Sequence, residues 1–140
     1  MEELFAYALL FSEGYDFWKQ YSERLDKLFL ESPDNEEYLY LETLKSPKEA
    51  VLHIIAVMSE TSFDTDLFGR TLMKLLGQIY EKSDLADFGT RMYSLWVKLP
   101  KSIGENEPFF TLCFADDYLL WDEEQGRKLY EKAIHYYDQK

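Results

Sequence analysis

Apolar residues recur along this chain at intervals of three and four, the spacing that gathers side chains on one face of an α-helix. Phe17, Tyr21, Leu25 and Leu28, flanked by Trp18 and Phe29, predict an amphipathic helix over 15–30, and residues 2–12 predict a shorter one that stops before Gly14. Val51, Ile54, Ile55 and Met58 mark the buried stripe of a helix over 47–60. Phe68, Leu72, Leu75, Leu76 and Ile79 share one face of the next, and Leu85, Phe88, Met92, Leu95 and Trp96 form the stripe of a further helix that Pro100 ends. After an expected loop at 101–106, Pro108 opens a short helix through FFTLCFADDYLL, and a last helix carries Leu129, Tyr130, Ala133, Ile134 and Tyr137.

Several boundaries carry their own signals. SPDNEE at 32–37 and SPKE at 46–49 each place Ser at an N-cap and Pro at the first helical position, and Glu49 completes a capping box with Ser46. TSFDTD at 61–66 offers several caps, Ser83 or Asp84 another, and Asp122 with Gln125 a further capping box. YLYLETL at 38–44 alternates enough for a strand, but the cap upstream favours a short helix. Gly69, Gly77 and Gly89 fall inside predicted helices, where glycine costs up to about 1 kcal/mol against alanine, a cost that close helix packing would justify. GRTLM at 69–73, GTRMY at 89–93 and GRKLY at 126–130 share a loose pattern, too unevenly spaced to establish a repeat. The expected fold is all-α: one domain over 1–140, built as a helical bundle or a short stacked helical-hairpin array of about six or seven helices.

Composition agrees with one ordinary folded chain. At 140 residues and 46% hydrophobic content it can bury a core without staples. Cys113 is its only cysteine, which excludes an internal disulfide framework and a cysteine-rich zinc site, and points to the cytoplasm. Residues 1–12 lack the positive start of a signal peptide, and no apolar run approaches the roughly 20 residues that cross a bilayer.

Charge changes the picture more. The formal net charge is -12, and it is concentrated. Between Lys101 and Arg127 the chain carries Glu105, Glu107, Asp116, Asp117, Asp122, Glu123 and Glu124 with no base among them; between Lys27 and Lys45 it carries Glu31, Asp34, Glu36, Glu37 and Glu42. Like charge in one place repels itself and attracts cations, so a basic protein is the expected partner and a phosphate backbone is not. The plainer alternative is a solvated surface, since acids at helix starts also complement the macrodipole.

Candidate chemistry is sparse. His53 and His135 follow Glu49 and Glu131 by four residues, which predicts surface pairs rather than the Glu-x-x-His spacing of di-iron bundles. Asp64 with Asp66, and Asp116 with Asp117, offer oxygen ligands outside any complete calcium-loop pattern. Cys113 sits among Phe, Leu and Asp, the setting of an inert buried thiol rather than a nucleophile. P-loop, dinucleotide, G-x-S-x-G and H-E-x-x-H motifs are missing, which lowers the expectation of those enzyme classes without excluding an enzyme.

ADDYLLWDEE at 115–124 then reads as a helix end, a turn around Trp121 and a capped helix start, with Leu119 and Leu120 inward and most acids outward. Tyr118 and Trp121 would anchor a partner while the carboxylates steer its approach. In size, charge and want of catalytic motifs the chain resembles small acidic immunity proteins, which neutralise bacterial toxins, many of them basic nucleases. The resemblance implies stoichiometric inhibition with no enzymatic activity, cofactor or metal. The expected contact residues are Glu36, Glu37, Glu105, Glu107, Asp116, Asp117, Tyr118, Trp121, Asp122, Glu123 and Glu124. The alternatives are a metal-dependent helical enzyme using Asp116 and Asp117, and a helical adaptor or homo-oligomer.

Overall fold

The computed structural model describes residues 1–139, the side chain of Gln139 excepted. It is all-helical, and among the described residues nine α-helices and two 3-10 turns follow one another without a strand. That exceeds the expected six or seven. Part of the excess is a one-turn helix at Lys101–Gly104, inside the segment expected to be a loop. The chain divides into two compact units, Met1–Asp64 and Thr65 onward.

In the first unit, α1 (Glu2–Ser12) packs against α2 (Trp18–Glu31) and α4 (Pro47–Val57), while α2 also meets α3 (Glu36–Thr43). Leu4, Phe5, Ala6, Ala8, Leu9 and Leu10 are all buried, so α1 is apolar around most of its circumference and serves as the unit's central element. Its neighbours need only one apolar stripe each: Tyr21 and Leu25 from α2, and Ala50, Val51 and Ile54 from α4. Ile55 and Met58, expected in the α4 stripe, are only half-buried, and Met58–Glu60 form a 3-10 turn rather than more α-helix.

Two cap expectations need correction. Ser32 closes α2, and α3 is capped by Asn35, whose side-chain oxygen accepts from the backbone N–H groups of Glu37 and Tyr38 at 2.9 and 3.2 Å. Asn35 supplies that acceptor three residues later than Ser32 would have. Residues 38–44 are helical to Thr43, as preferred. Ser46 and Pro47 do begin α4, but the Ser46 side chain makes no capping hydrogen bond.

The second unit contains α5 (Thr65–Tyr80), α6 (Leu85–Lys98), α7 (Lys101–Gly104), α8 (Phe109–Tyr118) and α9 (Glu123–Ile134), followed by a 3-10 turn at Tyr136–Gln139. α8 packs on α6 and α9, and α9 also on α5. Phe68 stacks on Phe109 at 5.6 Å, and Phe88 meets Tyr130 edge-on at 5.1 Å. The glycines inside these helices do serve close packing: a Cβ on Gly69 would stand 1.9 Å from the Tyr137 hydroxyl. Asp84 caps α6 and Asp122 caps α9, each accepting from the backbone N–H three residues on, at 3.0 and 3.1 Å.

Candidate functional site

The corner between α8 and α9 is held at both ends. Tyr118 closes α8, and its carbonyl accepts from the N–H groups of Trp121 and Asp122 at 3.2 and 2.7 Å, while the Asp122 side chain starts α9. Leu119 turns inward between Gly89 and Gly126. Leu120 does not follow it. It is 89% exposed, against the expectation that both leucines point inward, because the turn allows one of two successive side chains to reach the α6–α9 gap. Trp121 is 72% exposed and lies 4.9 Å from the Tyr118 ring. An exposed leucine and tryptophan on a hydrogen-bonded turn are an apolar projection on an ordered backbone, the kind of feature that anchors protein contacts.

The acids around this corner are less free than their density implies. Glu123 pairs with Arg127 at 2.9 Å, Glu124 with Lys128 at 3.6 Å, and Glu105 with Lys101 at 3.5 Å, each one helical turn away. Glu107 accepts from the Thr111 hydroxyl at 2.5 Å. Asp122 is committed to its cap. The expectation of outward acids also fails at Asp116, which is half-buried, its Oδ1 enclosed and with no hydrogen-bond partner among the described residues. Burial first, and the charge of Asp117 second, raise the Asp116 carboxyl above its ordinary range, although backbone hydrogen bonds act the other way. Asp117 itself is exposed, and no ion pair to it occurs among the described residues.

The same two aspartates shape their neighbours. Burial, then Asp116 and Asp117, push the Cys113 thiol up, away from the thiolate a nucleophile needs. The thiol is half-buried rather than buried as expected, and that partial burial is still the larger influence, with the two carboxylates adding to it. Tyr130, wholly buried and with no hydrogen-bond partner for its hydroxyl among the described residues, is raised by desolvation and then by Asp116, Asp117 and Tyr80.

Glu36 and Glu37 belong to the first unit. Glu36 stays exposed in the first turn of α3, whereas Glu37 is bonded at 2.5 Å to His53, whose ring also lies 4.3 Å from Tyr40. The expected partner of His53, Glu49, is therefore replaced by a residue from another helix. His135 likewise pairs with Asp138 at 2.8 Å instead of Glu131, which accepts from the Tyr80 hydroxyl at 3.1 Å. Glu131 is drawn to α5, and His135 already lies past the end of α9. Among the described residues, no group of three or more His, Cys, Asp and Glu side chains is placed to hold a metal ion. No helix there is long and apolar enough to cross a membrane.

Comparison with protein-family models, curated proteins and solved structures finds no match to this chain.

Sequence reasoning missed one array altogether. Phe110, Phe114 and Tyr118 lie at four-residue steps on α8, with ring separations of 5.5 and 6.3 Å, and the row continues to Trp121. At its other end Phe110 meets Trp96 at 6.5 Å, and Trp96 meets Tyr93 at 6.2 Å. Phe109, Leu112 and Ala115 occupy the buried side of α8. The available signal was the four-residue spacing, hidden because both sides of the helix are apolar.

Proposed function

We propose that this chain is a protein-binding module that acts in the cytoplasm by covering a basic surface of its partner, a stoichiometric inhibitor of the kind immunity proteins represent. The observation that carries the reading is the hydrogen-bonded corner presenting Leu120 and Trp121 beside Tyr118. The backbone of the turn is already ordered by its hydrogen bonds, so the ordering cost of binding there falls on side chains and the contact keeps much of its hydrophobic gain. The electrostatic share is carried by the overall charge and, in the second unit, by Asp117, which is exposed with no base beside it among the described residues; Glu105, Glu123 and Glu124 act with their charge already partly offset. Exposed i,i+4 pairs are weak, about 0.3–0.5 kcal/mol, so a partner's arginine can displace the internal base.

The test is affinity capture at low salt with the tagged 140-residue chain and its Trp121→Ala variant. Recovery of a basic protein in equimolar amount, lost with the variant and weakened by added salt, supports the reading. Recovery of acidic proteins only, of none, or of a partner indifferent to Trp121 overturns it.

A further inference from the structure

The α8 row does more than decorate the corner. Six rings, Tyr93, Trp96, Phe110, Phe114, Tyr118 and Trp121, form an unbroken series of contacts that crosses from α6 to α8 and runs down to the turn. Tyr93, Phe110 and Trp121 are exposed, as is Val97 beside them at 58%, and the others are half-buried. The strip is also fixed: the Trp96 indole N–H donates to the Gly104 carbonyl at 2.8 Å, and α6 and α8 pack directly on one another. A contiguous apolar strip on an otherwise strongly charged chain is a site where something docks.

We infer that this strip receives an amphipathic helix of the partner, one whose apolar stripe lies along the rings and whose flanks carry lysine or arginine. The inference rests on the protein-binding reading above and deepens it by naming the form of the ligand. From Phe110 to Tyr118 the row covers eight residue steps, about 12 Å at helical rise, which matches two to three turns of a partner helix with anchors at i, i+3 or i+4, and i+7. The border of the strip selects the charge. Asp117, exposed and with no base beside it among the described residues, follows Phe114 by three residues on the same side of α8. A second copy of this chain would bring Asp117 and a net charge of -12 against their like. A nucleic-acid strand can use rings for stacking, but it needs a basic groove, which Asp117 and the net charge of -12 oppose. A basic helix satisfies both features at once: rings for its apolar face, and Asp117 with the net negative charge for its basic flanks.

The experiment uses the full chain and three synthetic peptides of about eighteen residues, long enough for a helix to form on a surface. One has a leucine stripe at i, i+3, i+4 and i+7 with lysines elsewhere; the second replaces the lysines by glutamates; the third keeps the lysines and scrambles the leucines. Binding is measured by calorimetry and located by amide hydrogen exchange. The striped lysine peptide is expected to bind at least about tenfold more tightly than either control, to slow exchange in α6 and α8, and to lose about tenfold in affinity with Phe110→Ala or Trp121→Ala. Asp117→Asn should weaken it severalfold at low salt, and that difference should shrink as salt is added. Each variant's urea midpoint, read in parallel, verifies that it is folded.

Equal binding of the scrambled or the glutamate peptide, or indifference to Phe110→Ala, overturns the inference. So does a concentration-dependent dimer in sedimentation that Phe110→Ala abolishes, because the strip would then belong to a second copy. A native basic partner that depends on Trp121 but not on Phe110 overturns the strip while leaving the corner reading intact; a strip that binds the peptide while no basic partner is captured does the reverse.

Discussion

Leu119 fills a notch that exists because residue 126 is glycine: one of its methyl groups lies 2.4 Å from where a Cβ on Gly126 would stand. Its other methyl lies 2.9 Å from the corresponding point on Gly89. The side chain is a wedge between α6 and α9, and its place dictates that Leu120 and Trp121, next in sequence, leave toward solvent. Gly126→Ala should therefore destabilise the protein by about 1–3 kcal/mol through overpacking, even though alanine is intrinsically the better helix residue by about 1 kcal/mol. In a Leu119→Ala background the same change should cost much less, since the two sites share the contact. Urea denaturation of the four-member cycle measures this.

Glu42 makes the stability of the first unit depend on pH. Partial loss of hydration, followed by a hydrogen bond and like-charge repulsion from Asp26, raises its carboxyl from 4.5 to about 7. The folded state thus holds a proton that the unfolded chain releases earlier. The stabilising contribution is complete below about 4.5 and declines as pH rises to about 7. Glu42 remains exposed, so screening keeps the change modest. Urea midpoints of wild type and Glu42→Gln across this interval should converge at the acid end, with the variant showing the flatter profile.

Trp121→Ala should leave stability within about 0.5 kcal/mol, because the side chain is mostly in water already. The same variant should shift the fluorescence maximum of the free protein to shorter wavelength, since Trp18 and Trp96, which remain, are half-buried. A destabilised protein or an unshifted spectrum would contradict the placement of the corner.

Cys113 should react slowly with iodoacetamide at neutral pH compared with a free thiol. Burial and the neighbouring aspartates raise it above its ordinary 9.0, so less thiolate is present at any given pH and the rate profile moves to higher pH. Asp117→Asn removes one of those charges and should quicken the reaction. Mass-spectrometric alkylation rates between pH 7 and pH 10, on the order of the ordinary thiol range, provide the measurement.

What was legible in the amino-acid pattern is what depends on neighbours three or four residues away. The stripes Phe68–Leu72–Leu76 and Phe88–Met92–Leu95, the Asp84 and Asp122 caps and the all-α class follow from the periodicity and polarity of the helix itself. The Ser32 cap went wrong within the same local range, because Asn35 offered a competing acceptor that composition alone does not rank.

Everything that depends on distant partners needed the tertiary structure. His53 has Glu49 one turn away yet bonds Glu37 from another helix, and Leu119 and Leu120 are identical side chains that part company because only one finds a glycine-lined gap. In α8, local pattern is silent for a further reason: Phe109 and Phe110, or Leu112 and Phe114, are equally apolar, so hydrophobicity identifies no core side. Packing against α6 and α9 buries Phe109, Leu112 and Ala115 and leaves the other rings as a surface. A sequence pattern can report that a residue prefers to leave water; the arrangement of neighbouring helices decides which of several equal claimants is covered.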